Sequence, residues 1–174
     1  MVKVSIIAIV MMIMVGFVGC GETTDNGTKE TTTVATENKQ EAAGFVMNVK
    51  GTDVAVNALM APIVEALGEP DKYFESESCA FQGLDKVYTY GSVVITTYPE
   101  NGVDYVYTIE LKDDTVTTKE GLYIGAAKSE VTKAYGDATK STDAALVYEK
   151  GSCQLAFILD GETVKNITYT AITE

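Results

Sequence analysis

Histidine, tryptophan and arginine are all missing from the 174 residues. Without histidine the chain lacks the usual general base near neutral pH and the commonest zinc ligand. Without arginine it lacks the planar fork that grips phosphate or carboxylate at two points. Acidic residues outnumber basic ones 25 to 13, and the formal charge is −12. Phosphate affinity comes from basic groups, so no nucleic-acid partner is expected. Cysteine is scarce, at three residues. A nucleophilic cysteine needs a lowered pKa and a base beside it, and no histidine exists to serve Cys79. The carboxylates of Asp113, Asp114, Asp137, Asp160 and Glu162 fall in turn-like spots without the spacing of a calcium loop. They read as solvated turns. Paired carboxylates can cleave glycosides, but nothing in the sequence singles out a pair. The expectation is a chain with no catalytic residues, no metal and no cofactor.

What is present begins with a short positive start, Met1-Val2-Lys3, followed by an almost unbroken apolar run over residues 4–18. That order is the pattern of an export signal, and the run is shorter than the roughly 20 residues that span a bilayer. It ends in Phe17-Val18-Gly19-Cys20-Gly21, which resembles the lipobox of bacterial lipoproteins. The resemblance implies cleavage after residue 19 and a diacylglyceryl group on Cys20. Two acyl chains suffice for stable anchoring where one does not. An uncleaved signal anchor with a free Cys20 is the alternative. Loss of the leader removes Lys3 and takes the charge from −12 to −13. Residues 20–43 hold the lipidated cysteine and a Thr/Glu/Asn/Lys-rich stretch with too little apolar surface to offset its ordering entropy, so a disordered tether is expected. As a coil it would reach about 25–30 Å. The expected location is the outer face of the bacterial cytoplasmic membrane, with the lipid as the membrane contact.

Residues 44–174 then form one domain of ordinary size. Cys79 and Cys153 remain in a compartment where disulfides form, and they are expected to pair, with two separate thiols as the alternative. A bridge would close a loop of about 75 residues, worth about 3–4 kcal/mol in the chain-entropy view.

The domain reads as two copies, about 44–115 and 116–174. Val56-Asn57-Ala58 through Leu67-Gly68 lines up with Ile124-Gly125-Ala126 through Tyr135-Gly136, each a short helix ending at a glycine. Ala58 and Ser129 are the expected entry points, the serine as an N-cap. Tyr88-Thr89-Tyr90-Gly91-Ser92-Val93 then matches Tyr148-Glu149-Lys150-Gly151-Ser152-Cys153, with Gly-Ser as the hairpin turn in both. A third strand follows in each copy, over residues 106–111 and 164–169. Alternation puts Val93, Ile95 and Thr97, and Cys153, Leu155, Phe157 and Leu159, toward the helices. Residues 74–85 read as an inserted loop. The expected fold class is α+β: a tandem repeat of helix plus three antiparallel strands, with the helices on one face of a shared curved sheet.

Ala66-Leu67-Gly68-Glu69-Pro70, Ser78-Cys79-Ala80-Phe81-Gln82-Gly83, Asp85-Lys86-Val87-Tyr88-Thr89-Tyr90 and Gly121-Leu122-Tyr123-Ile124-Gly125 together resemble the β-lactamase-inhibitor-protein-like (BLIP-like) lipoproteins of Gram-positive bacteria. The resemblance covers residues 45–173. It implies helices packed on one face of a curved antiparallel sheet and a free concave face opposite. No residues match the loops by which the secreted inhibitor grips its enzyme, so inhibition is not implied.

Tyrosines crowd the strands, and tyrosine offers rigid contact area with a polar tip. Tyr98, with Thr96, Val94 and Tyr90 near it, is the expected binding face on the uncovered side of the sheet. The function expected is a non-catalytic module, tethered by lipid outside the membrane, that binds an unidentified protein or cell-wall component. The alternative is an extracytoplasmic chaperone or assembly factor for exported proteins. A contiguous aromatic patch on the open sheet would favour the first; a polar sheet face with loop-borne contacts would favour the second.

Overall fold

The computed structural model describes residues 44–173. The leader, Cys20 and the tether lie outside them. The first described element is a hairpin, β1 (Val46–Val49) and β2 (Thr52–Ala55), which forms a small sheet by itself. Its two-residue turn places Lys50 at φ 47° and Gly51 at φ 90°. Positive φ at both central residues gives the turn a twist that matches its strands. Asn48 Nδ2 donates to the Asp53 carboxylate across the pair at 2.8 Å.

There follow α1 (Met60–Leu67), β3 (Lys72–Glu77), β4 (Leu84–Tyr90), β5 (Val93–Glu100) and β6 (Val103–Leu111). Next come α2 (Lys128–Tyr135), β7 (Lys140–Ser141), β8 (Ala145–Lys150), β9 (Cys153–Asp160) and β10 (Thr163–Ala171). The last eight strands make one antiparallel sheet in the order β3-β4-β5-β6-β10-β9-β8-β7.

This overturns the expected class and unit. The described residues are mostly strand, with two helices of eight residues each. Each helix is followed by four strands rather than three. Residues 74–85, read from sequence as an inserted loop, supply most of β3 and the start of β4. All six residues of β3 are exposed, so no buried alternation marks it. The short β7 is likewise exposed at the other edge. The helix starts also differ. The N-cap positions are Leu59 and Ala127, and neither caps with its side chain. Ser129 lies inside the first turn of α2, where Glu130 accepts the Ala127 amide at 2.8 Å instead. Both helices stop at a glycine with φ 76°, Gly68 and Gly136, a backbone state that costs glycine least.

The register sorts the sheet into two faces. Tyr90, Val93, Leu111, Ile167, Phe157 and Leu146 pair in one row across six strands; Tyr88, Ile95, Ile109, Tyr169, Leu155 and Tyr148 make the next. All twelve are buried. They form the helix-side face, packed with Met60 and Ile63 of α1 and Val131 of α2. Tyr90 donates its hydroxyl to the Gly68 carbonyl at 3.1 Å, and Tyr148 does the same to Gly136 at 3.2 Å. Each tyrosine thereby satisfies a carbonyl at a helix end, where backbone acceptors lack intrahelical partners. Thr89, Val94, Glu110, Thr168, Ala156 and Val147 form the intervening row on the opposite face. Beside it lie Val87, Thr96, Thr108, Thr170, Gln154 and Glu149. Among the described residues no helix covers these rows, which hold threonines, small aliphatics and the polar Glu110, Gln154 and Glu149 rather than rings.

Candidate functional site

The four residues expected to share a binding face do not. Tyr90 is 1 % exposed and lies on the covered side. Val94 and Thr96 are half-buried on the open side, where Thr96 and Thr108 join hydroxyls at 2.6 Å. Tyr98 is buried, 7 % exposed. The pairing of β5 with β6 slips between Thr96 and Thr97, so Tyr107 is an extra residue on β6. Such a bulge bends the strand and re-aims its side chains.

Beyond the bulge Tyr98 packs against three other rings. Phe81 lies tilted against it at 5.1 Å between centroids, Tyr105 stacks on it at 5.7 Å, and Tyr107 meets it edge-on at 6.0 Å. Offset and edge-to-face pairs of this kind add about 0.5–1.5 kcal/mol each beyond area burial. Phe81 comes from the loop between β3 and β4. Ser78 Oγ shapes that loop by accepting the Phe81 amide at 3.1 Å. The Tyr98 hydroxyl donates to Asn57 Oδ1 at 2.9 Å, and Asn57 Nδ2 donates to Ser152 Oγ at 3.0 Å. Asn57 adopts φ 63° in the segment before α1, with its amide on the Val106 carbonyl at 2.8 Å. Asparagine tolerates this left-handed state better than most residues. One chain of hydrogen bonds therefore joins β5, the segment before α1 and the β8–β9 turn.

These groups wall a cleft of about 850 Å³. Phe81, Tyr98 and Tyr105 line it together with Val56, Leu59 and Ile63, and Asp53 and Glu100 supply carboxylates. No lysine lines it. Asp53 accepts from Asn48 and sits 3.4 Å from Lys119; the Asn48 hydrogen bond first, and then Lys119, hold its carboxyl below its usual range. Glu100 is exposed and has no such partner among the described residues. Burial, and next the Glu100 charge, push the Tyr98 hydroxyl above its ordinary pKa. The cleft therefore presents aromatic rings, apolar wall and one carboxylate, that of Glu100, unpaired among the described residues. Sequence reasoning missed Asn57, Phe81, Glu100 and Tyr105. One signal was available for Phe81, a single ring in an otherwise polar, turn-rich stretch.

The expected disulfide is not formed. Cys79 is exposed in the β3–β4 loop and Cys153 is buried on β9, and both are free. β3 and β9 stand five positions apart in the sheet. Burial pushes the Cys153 thiol up to about 11, so little thiolate exists at neutral pH. A thiol reagent at pH 7.5 is expected to label Cys79 within minutes and Cys153 only in denaturant. Equal rates for the two, read by peptide mass, would contradict this assignment.

Among the described residues no group of three or more His, Cys, Asp or Glu is arranged to hold a metal. No family model, curated protein or solved structure matches the chain.

Proposed function

We propose that this chain is a membrane-anchored extracytoplasmic lipoprotein whose domain is a non-catalytic binding module, and that its ligand enters the Phe81–Tyr98–Tyr105 cleft. The cleft carries the reading: a concave site of this size with apolar walls and a few placed polar groups is the usual form of a binding pocket. Its unpaired Glu100 carboxylate, with no lysine among the described residues of its wall, selects against anions and favours a cationic side chain of a partner protein or an amine-bearing cell-wall component. A cation gains most where it meets both a carboxylate and a ring face. The leader and Cys20 support the address, and the lack of histidine supports a non-catalytic role.

The threonine-rich open face gives weight to the second reading, an extracytoplasmic chaperone or assembly factor. A polar sheet with contacts gathered at loops is what that role calls for. Both readings use the same cleft and differ in the ligand, one dedicated partner or many exported chains.

A photo-crosslinking residue at position 105 of the full chain, in cells, tests the site. We expect adducts from Tyr105 that fall at least fivefold when Glu100→Lys is added. One discrete adduct means a dedicated partner, and a ladder of exported proteins means the assembly role. If position 105 gives no more adduct than Ile158, exposed on the open face, the cleft is not the site. For the address, Cys20→Ala should release the protein or leave it uncut.

A further inference from the structure

The two edges of the large sheet are unlike. β7 is two residues long, but β3 runs six, and among the described residues it pairs only with β4. Exposed edges of this length invite pairing with another strand, and proteins generally blunt them. β3 carries the charged residues Lys72, Glu75 and Glu77 that blunt an edge, but beside them it displays Phe74 at 63 % and Tyr73 at 49 % exposure. We propose that β3 is an association edge whose partner is β3 of a second copy of this chain, antiparallel, with Phe74 on the two-fold axis. This inference stands apart from the cleft.

The strand's own sequence selects partner and register. The Ser78 amide donates to the Gly83 carbonyl at 3.0 Å. Antiparallel alternation then turns the main-chain groups of Ser76, Phe74 and Lys72 toward β4. Those of Tyr73, Glu75 and Glu77 point out from the edge. A two-fold axis normal to the sheet keeps like faces together, so paired residues must be both odd or both even. Centring on Tyr73 leaves little of the strand paired. Centring on Glu75 sets two carboxylates opposite each other. Centring on Phe74 sets ring against ring and places Tyr73 opposite Glu75 of the second copy, twice by symmetry. Tyr73 and Glu75 bond within one chain, hydroxyl to carboxylate at 2.5 Å; in the dimer the one hydroxyl donor of Tyr73 turns from its own Glu75 to that of the second copy. In the same register Tyr73 and Glu75 bring their outward N–H and C=O groups into hydrogen-bonding pairs. The Phe74 pair falls between these, where side chains approach most closely.

A six-residue edge buries less area than a standard protein interface, and the chain's negative charge opposes association. The dimer is therefore weak in dilute solution, rises with salt, and is best read by trapping. In full chain carrying Cys79→Ser, Phe74→Cys should give a disulfide-linked dimer under mild oxidation. Glu77→Cys, about six residues from its own copy in this register, should give at least tenfold less. Oxidised Cys79→Ser alone supplies the background from Cys20 and Cys153. Adding Glu75→Pro to Phe74→Cys removes an outward N–H and leaves the bonds to β4 intact. It should slow trapping at least tenfold with little change in thermal midpoint. No dimer from Phe74→Cys, equal dimer from Glu77→Cys, or indifference to Glu75→Pro would each overturn the proposal.

Discussion

Replacing Tyr98 with alanine is expected to cost about 3–4 kcal/mol of folding stability, as large-to-small changes at buried aromatic sites do. The ring packs against Phe81, Tyr105 and Tyr107, so its loss strips contact from all three. It also leaves Asn57 Oδ1 without its donor. Tyr98→Phe removes that one hydrogen bond and keeps the stack, so a loss near 1 kcal/mol is expected. Urea midpoints measure both. The alanine variant should also become easier to cut in the β3–β4 loop, because Phe81 loses the ring it packs against. A midpoint shift in Tyr98→Ala no larger than in Tyr98→Phe would mean that the stack contributes nothing and that the cleft wall is not built as described. The effect on ligand would then have to be sought elsewhere, and Tyr105, half-buried on the cleft, is the better position for reading binding apart from folding.

The sequence carries the large sheet's interior better than its edges. Val93, Ile95 and Thr97 on β5, and Cys153, Leu155, Phe157 and Leu159 on β9, are all buried. Strict alternation shows in their letters because one face is covered and the other is not. β3 has no covered neighbour on one side and exposes every residue, so Lys-Tyr-Phe-Glu-Ser-Glu carries no such contrast. The β1–β2 hairpin turns at Lys50-Gly51, and a lysine at φ 47° is not a residue type that announces this turn. The helices are legible by their glycine stops but not by their caps, since neither N-cap residue bonds through its side chain.

The candidate site divides in the same way. That Tyr90 faces the core was readable: a two-residue turn at Gly91-Ser92 sets Tyr90 opposite Val93, and both must then share a face. Tyr98 was not readable. Its position depends on the bulge at Tyr107, and no glycine or proline marks the extra residue there. Its partners are Phe81, 17 positions earlier in the chain, and Asn57, 41 positions earlier. Contacts so far apart in sequence leave no local pattern to read.

Above pH 9 the domain is expected to lose stability steeply, and the cause is the set of neutral acids it buries. Burial lifts the Cys153 thiol from its ordinary 9.0 to about 11. Burial likewise raises the hydroxyls of Tyr135 and Tyr169, the former also through its hydrogen bond to Glu120. Each is a group whose neutral form is favoured by folding. Its contribution is complete below the unfolded-state pKa and disappears as pH climbs through the folded-state value, because the unfolded chain ionises first. For Cys153 that window runs from about pH 9 to about 11 and is worth about 2–3 kcal/mol; the tyrosines add to the loss above pH 10. At the acid end the order reverses. Asp53, Asp71 and Asp113 hold carboxyls depressed by hydrogen bonds and, for the first two, by lysines, so their support fades as pH falls below about 4. With no histidine to titrate between these limits, thermal midpoints read by circular dichroism should be nearly flat from pH 5 to 8 and fall on either side. Cys153→Ala should flatten the first part of the alkaline limb, between pH 9 and 11, whatever it does to the neutral midpoint. An alkaline limb unchanged by that substitution would place Cys153 in contact with water and dismantle the packing described for the start of β9.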